Sequence, residues 1–436
     1  MSEKSVRTIS NSGKSGLTGE LTLPGDKSIS HRSLLLGSLA SGKSTVGNLA
    51  PGEDVRSTIN CLKNLGVSIS EEGDRVVIEG RGLRGFSEPK HRLNAGNSGT
   101  LTRLIVGTLS THGFSTEIDG DESLRSRPME RIIAPLESMG AEIDSRGGKL
   151  PLTVTGGKLQ GIVHEPKVAS AQVKSSILLA GLGASGETKV IEPGPSRDHT
   201  EKMLEAMGYP IRVDGNRITV NGPRQLDPLE LTVPGDFSSA GYFIAAACLV
   251  EGSKLTIKDV GLNETRTGFL ELLNSMGASI ELKNSENPNG EPRGDLVVSG
   301  SDLTGVNLTK DQVVKSIDEL PLLAVVATQA EGVTEVRGAE ELRVKETDRI
   351  SATVENLKLL GADVEEFPDG FLVRGPSKLS GGGVRVDSYG DHRIAMSMAI
   401  AALVAEGKTN LIGPHWVEIS YPGFFETMEG LLNGEN

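Results

Sequence analysis

Six stretches of this chain are apolar almost without interruption, and each is closed by a glycine and followed by a β-like run. They are Ser28–Ser41 before Gly42, Ser98–His112 before Gly113, Ser170–Ser185 before Gly186, Ser238–Glu251 before Gly252, Ser316–Glu331 before Gly332 and His392–Glu406 before Gly407. They recur about every 70 residues, which is the signature of an internal repeat. Each reads as a helix that is apolar all round and must be buried all round, with glycine as its left-handed stop. Between them run second helices ending Leu65-Gly66, Met139-Gly140, Met207-Gly208, Met276-Gly277 and Leu360-Gly361. These pass into short strands such as Arg75–Glu79, Arg217–Val220 and Asp295–Ser299, and a sixth helix, Gly423–Leu432, ends the chain.

Each repeat therefore reads β-α-β-α-β-β, and three repeats make a lobe. The expected fold class is α/β, with two inside-out α/β domains whose helices are buried and whose sheets lie outside. The first lobe is expected over residues 21–230 and the second over 231–436. The sixth repeat lacks its closing strands. Residues 1–20, through a strand around Val6–Ile9, are therefore expected to complete the second lobe. A strand, a Pro-Gly turn and a helix open both lobes, at Leu21-Thr22-Leu23-Pro24-Gly25-Asp26 and at Leu231-Thr232-Val233-Pro234-Gly235-Asp236. The residue that follows is Lys27 in the first copy and Phe237 in the second, so the fold is duplicated and the chemistry is not. Parallel helix N-termini in two facing lobes would focus many dipoles on one cleft.

Composition narrows the ligands. Lysine and arginine number 45 against 58 acidic residues, a net charge of −13, so no nucleic-acid partner is expected and any anion must be held by local basic clusters. Aromatics are only 3%, which leaves the cores to Leu, Ile, Val and Ala. Cys61 and Cys248 lie in helical runs without disulfide or metal spacing, as suits a reducing cytoplasm. The longest strongly apolar run, Ala240 to Val250, is too short to span a bilayer, and residues 1–20 lack the apolar core of a signal peptide, so no membrane association is expected.

One motif misleads. Gly37-Ser38-Leu39-Ala40-Ser41-Gly42-Lys43-Ser44 matches the P-loop pattern, but a helix precedes it and a strand follows, the reverse of what phosphate cradling needs. The informative feature is that basic residues crowd helix starts, where a positive charge is unfavourable unless an anion compensates. Lys27, Ser28 and Arg32 do so, as do Arg127 before Pro128, Lys174 after Ser170-Ala171-Gln172, Arg197, and Arg393 after His392. Gly96-Asn97-Ser98-Gly99-Thr100 opens another helix with small polar residues that let backbone approach a ligand. Lys345 and Arg349 are spaced i, i+4 and are expected to share a helix face, with Glu346 beside them. Asp318 opens an otherwise apolar helix. Taken singly, each is equally an N-cap or a surface ion pair. Together they describe an enzyme needing neither metal nor cofactor, binding small, multiply anionic substrates, with Asp318 and Glu346 as acid/base candidates.

The segments GDKSISHR, GNSGT, SAQVK, RDHTE, IDELP, LRVKETDR and DHRIAM, in this order between Leu21 and Tyr421, closely resemble the 5-enolpyruvylshikimate-3-phosphate synthase (EPSP synthase) family. The resemblance implies two inside-out domains and transfer of the enolpyruvyl group of phosphoenolpyruvate to the 5-hydroxyl of shikimate 3-phosphate, with release of phosphate. It implies that Lys27, Ser28, Arg32, Ser170, Ala171, Gln172, Arg197, Asp318 and Lys345 contact shikimate 3-phosphate. Lys27, Asn97, Gly99, Arg127, Gln172, Arg349, His392 and Arg393 would contact phosphoenolpyruvate. Asp318 would accept the hydroxyl proton, and Glu346, with Lys27, would protonate the methylene carbon. No cofactor or metal is implied, and a cytoplasmic monomer is expected. RDHTE, SAQVK, GDKS and Asn263-Glu264-Thr265-Arg266 match the class II subgroup noted for glyphosate tolerance, although Gly99 stands where tolerant members carry alanine. The alternatives are the sister transferase acting on UDP-N-acetylglucosamine, which usually carries a loop cysteine, and a non-catalytic anion-binding protein of the same fold.

Overall fold

The computed structural model describes residues 5–10 and 16–434. The chain divides into two compact units, one of residues 25–233 with 287–291, the other of the described residues up to Pro24 with 234–286 and 292–434. Each unit carries three small sheets and three helices that are buried on every side.

In the first unit the buried helices are Lys27–Leu39, Gly99–Leu109 and Ala171–Gly183. In the second they are Phe237–Leu249, Leu320–Ala327 and His392–Val404. Every residue from Ile29 to Leu39 is buried, although Leu34, Leu35 and Leu36 point in different directions around the helix. Each such leucine contributes about 2 kcal/mol of transfer free energy, which explains an apolar pattern without a polar stripe. Close approach is built in as well. A Cβ on Gly107 would lie 2.2 Å from the Ser176 carbonyl oxygen of the neighbouring helix, so only glycine fits at this crossing.

The sheets repeat one plan. In the first unit, Ser41–Gly47 runs parallel to Glu230–Thr232 and antiparallel to Arg75–Arg81, with Ser68–Glu72 outermost. Ser115–Asp119 and Gly186–Ile191 hold the same central position in their own four-stranded sheets. In the second unit, Lys254–Gly261 runs parallel to Thr18–Thr22 and antiparallel to Arg293–Ser299. Lys408–Ile412 runs parallel to Arg385–Asp387 and antiparallel to Val6–Ser10, so a strand from near the start of the chain occupies the third place of the sixth repeat. Of the segment 1–20 assigned to the second lobe, residues 1–4 and 11–15 lie outside the described residues.

The unit boundaries differ from those drawn at 21 and 231. The strand before each Pro-Gly turn pairs in the other unit from the helix after it, so Thr18–Thr22 joins the second unit and Glu230–Thr232 the first. The changeover falls within the turns, at Pro24-Gly25 and Val233-Pro234. Residues 287–291 also belong with the first unit, where His199 Nδ1 meets Glu291 Oε1 at 2.8 Å.

The two helix families end differently. All five Leu/Met-Gly ends close with the same paired bonds; at the first, the Gly66 N–H reaches the Lys63 carbonyl and the Val67 N–H the Leu62 carbonyl, both at 3.0 Å. Gly66 has φ +86°, the left-handed stop that the sequence reading assigned to the other, apolar helices. The buried helices do not stop that way. Lys27–Leu39 ends at Ala40 in an extended conformation, and Gly42, φ +124°, already lies in the strand Ser41–Gly47. The P-loop-like run thus spans a helix end and a strand start.

Candidate active site

In the first unit, Asp26 caps the helix Lys27–Leu39 by accepting the Ile29 N–H at 2.8 Å. Lys27 is the first residue of that helix, and its ammonium pairs with Asp54 at the start of the helix Glu53–Asn64. Arg32, five residues on, is only 3% exposed. Its Nε donates to Thr200 Oγ1 at 2.8 Å, Nη2 to Ser175 Oγ at 2.9 Å and Nη1 to the Ser28 carbonyl at 3.0 Å. None of these three partners is charged. Burial lowers the Arg32 pKa to about 10, Glu201 resists, and Arg197 adds to the lowering. A buried guanidinium held by neutral oxygens beside another cation is a site prepared for an anion.

A second set of bonds links three separate helix starts. Ser170 caps the helix Ala171–Gly183, accepting from the Val173 N–H at 3.4 Å, and puts Ala171 and Gln172 in its first turn. Gln172 donates to Thr100 Oγ1 at 2.9 Å and accepts from Arg103 Nη1 at 2.7 Å. Arg103 also reaches the carbonyls of Gly99 at 3.4 Å and Pro128 at 3.2 Å. Arg127 Nη2 donates to Asn97 Oδ1 at 2.8 Å, and Asn97 is fixed in turn by Asp121 at 2.7 Å. A Cβ on Gly99 would meet Arg103 Nη1 at 2.8 Å and Arg127 Nη1 at 3.2 Å. Asn97, Gly99, Arg127 and Gln172 are thus brought together. The sequence reading missed Arg103, whose signal was an arginine one turn beyond Gly99 on an apolar helix.

Lys174 is not an anion donor. It is 2% exposed and clamped between Glu192 at 2.7 Å and Glu201 at 2.6 Å. Its charge is spent inside the unit.

In the second unit, one arginine organises the acids. Arg349 begins the helix Arg349–Leu359, and Asp348 caps it. Arg349 Nε binds Asp391 at 2.7 Å, Nη1 approaches Asp318 at 3.3 Å and Nη2 approaches Glu346 at 2.7 Å. Burial disfavours its charge, but Asp391 and Glu346 outweigh that and hold its pKa above the usual arginine range. Asp318 precedes the helix Leu320–Ala327 and is ringed by cations. Besides Arg349, it faces Arg393 at 3.7 Å, Arg266 at 3.9 Å and Lys345 at 4.0 Å. Burial lowers the Lys345 pKa, with Asp318 opposing and Arg349 adding to the fall. Lys345 and Arg349 do not share a helix face: Lys345 is extended, and the helix starts only at Arg349 because Asp348 caps it. They converge through Asp318 instead.

Asp391 also caps the helix His392–Val404, accepting the Arg393 N–H at 2.7 Å. Arg393 reaches the Asp318 carbonyl at 3.2 Å and Glu319 Oε1 at 3.3 Å. Ser238 donates to Glu319, and accepts from Arg266 at 2.8 Å and Arg393 at 3.3 Å. His392 is buried at the mouth of the same helix. Phe237, in the place that Lys27 holds in the first unit, is buried in the core. Both thiols are buried in helices, and burial pushes each up to about 12. Neither has the lowered pKa of a reactive thiolate. Among the described residues, no helix is long and apolar enough to cross a membrane.

Comparison with known proteins shows the family of the chain. The family described as EPSP synthase (3-phosphoshikimate 1-carboxyvinyltransferase) matches residues 12–428. A 3-phosphoshikimate 1-carboxyvinyltransferase of Shouchella clausii is 48% identical over 423 residues, covering 97% of this chain and 98% of the relative. One from Bacillus licheniformis is 47% identical over 419 residues, covering 96% and 98%. A solved structure of EPSP synthase from Acinetobacter baumannii superposes with a TM-score of 0.88 at 42% identity, with 98% of both chains covered. The enolpyruvyl transferase NikO from Streptomyces tendae, at 18% identity and a TM-score of 0.80 over 98% of both chains, shares the fold. The chain belongs to the EPSP synthase family.

Proposed function

We propose that this chain transfers the enolpyruvyl group from phosphoenolpyruvate to the 5-hydroxyl of shikimate 3-phosphate by addition and elimination. The observation that carries this reading is that two carboxylates, Asp318 and Glu346, lean on the two ends of one buried guanidinium, Arg349. Addition needs one proton removed from the attacking hydroxyl and one delivered to the methylene carbon, which two separately placed carboxylates provide.

In this reading Asp318 takes the hydroxyl proton as the oxygen bonds to C2 of the enol phosphate. Glu346, with Lys27, protonates C3 and leaves a tetrahedral intermediate with a methyl group. Collapse expels phosphate, which carries off the proton taken up by Asp318, while Glu346 takes a methyl proton back, restoring the double bond. Arg127, Arg349 and Arg393, with Gln172, Asn97, Gly99 and His392, bind the phosphate and carboxylate of phosphoenolpyruvate. Lys27, Ser28, Arg32, Ser170, Ala171, Gln172, Arg197, Asp318 and Lys345 bind shikimate 3-phosphate. Bidentate arginines suit phosphate and carboxylate and stabilise the charge that gathers on the leaving group. The protein works as a cytoplasmic monomer on small molecules, without a cofactor.

The test is phosphate release from phosphoenolpyruvate with shikimate 3-phosphate or with UDP-N-acetylglucosamine, assayed separately. Release with shikimate 3-phosphate alone is expected. Release with the sugar nucleotide alone, or with neither, overturns the reading.

A further inference from the structure

Arg266 belongs to the one class II segment, Asn263-Glu264-Thr265-Arg266, to which no role has been attached. It sits in a turn whose shape is set by Asn263, which accepts the Thr265 N–H at 2.9 Å on its side chain and the Arg266 N–H at 2.8 Å on its carbonyl. The turn leads into the helix Gly268–Ser275 and buries the Arg266 side chain to 4% exposure. There Nη2 donates to Ser238 at 2.8 Å and lies 3.8 Å from Asp236, while Nη1 lies 3.9 Å from Asp318 Oδ2.

Asp318 faces Lys345 and Arg349 from one segment, Arg393 from the helix His392–Val404, and Arg266 from this turn. The neighbouring acids are each engaged elsewhere: Glu346 and Asp391 on Arg349, Glu319 on Arg393, and Asp236 on Arg266 and the cap of Phe237–Leu249. In the function proposed above, on which this inference rests, Arg349, Arg393 and Lys345 all bind anionic substrates. Each then divides its charge between Asp318 and phosphate or carboxylate. Arg266 is given no substrate in that reading; it shares its charge between two carboxylates of the protein, Asp318 and Asp236.

We infer that Arg266 is a positioning residue for the proton-accepting carboxylate, a fixed cation that keeps Asp318 ionised and aimed after the substrate arginines have been taken up by phosphoenolpyruvate. The charge at short range matters more than the exact donor geometry, because the two groups are in ion-pair rather than hydrogen-bond contact.

The experiment is the pH profile of kcat for phosphate release, with both substrates saturating, in Arg266→Gln, Arg266→Met and Arg266→Lys. Asp318→Asn serves as a control, and folding is checked by circular dichroism. The acid limb of the Gln variant is expected to move up by about one pH unit, the size of shift one nearby arginine imposes on an aspartate. Its plateau above the limb should stay within about tenfold of the parent, and the Lys variant should keep the parent limb. Arg266→Met retains the packing of the stem, so it carries the test if the Gln variant does not fold. A neutral variant that folds with an unmoved limb overturns the inference and leaves the proposed function standing. Full turnover in Asp318→Asn would instead remove Asp318 as the base, and with it the reading on which the inference rests.

Discussion

Glu346 lies 2.7 Å from Arg349 Nη2, close enough for the pair to be read as a structural ion pair rather than as an acid at work. The two roles separate on substitution. Glu346→Gln keeps the shape and the hydrogen bond and removes the proton. Substrate affinities measured by titration calorimetry should stay within a few-fold, while kcat should fall by roughly 10²- to 10⁴-fold. Near-normal kcat would mean the pair only supports Arg349. His112 offers a second separation, this one on stability. Its Nδ1 contacts the Thr108 carbonyl at 3.1 Å, its Nε2 accepts the Phe86 N–H at 3.3 Å, and the ring stacks on Phe86 at 4.8 Å. Protonating Nε2 would remove that acceptor. Burial lowers its pKa to about 4, Thr108 resists, and Arg84 adds to the fall. The unfolded chain therefore binds the proton first as pH falls through about 6.5, so stability present above that pH is lost on the way down to about 4. The loss amounts to about 3 kcal/mol from this residue. Urea unfolding across that window should show a shallower pH slope in His112→Gln than in the parent. At this scale the sequence reveals which charges sit at helix mouths but not their partners. Arg266 and Asp318 are far apart in the chain, and nothing local to either records the other.

The elements divide by how much of their design is local. The five Leu/Met-Gly helix ends were legible because their bonds lie within a few residues of one left-handed glycine. The buried helices were legible as apolar runs, yet their ends were not, since packing rather than a capping residue stops them. The same distinction ranks their glycines. In a helix interior, Gly→Ala gains about 1 kcal/mol in propensity. At Gly241 a Cβ would meet Phe269 Cδ1 at 3.4 Å, an ordinary contact, so Gly241→Ala should be neutral or stabilising by up to that amount. At Gly107 the Cβ would meet a backbone oxygen at 2.2 Å, and overpacking costs about 1–3 kcal/mol. Gly107→Ala should therefore lower the unfolding free energy, and denaturant titration of the two variants side by side would show a loss for Gly107→Ala and none for Gly241→Ala. Lys345 failed as a helix-face prediction for a local reason as well: Asp348 is a better cap than an interior residue, and it starts the helix at Arg349, beyond Lys345.

At the scale of the whole molecule, the six repeats, three to a lobe, and the placing of helices inside and sheets outside could be read from periodicity; the division of each unit's strands into three sheets could not. Nor could the exchange of strands at the two Pro-Gly turns. A strand before a helix looks the same whether it pairs with that helix's unit or with the other. The partners of Thr18–Thr22 and Glu230–Thr232 are set by edges formed roughly 200 residues away. Val6–Ser10 is the extreme case: it pairs with Lys408–Ile412, about 400 residues further on. A chain emerging from a ribosome at roughly 5–20 residues per second makes residues 6–10 on the order of tens of seconds before their partner strand exists. Until then residues 6–10 are an unpaired strand, open to chaperones and proteases. The second unit is closed by residues 6–10 meeting residues 408–412, so this sheet can form only once residue 412 has been made.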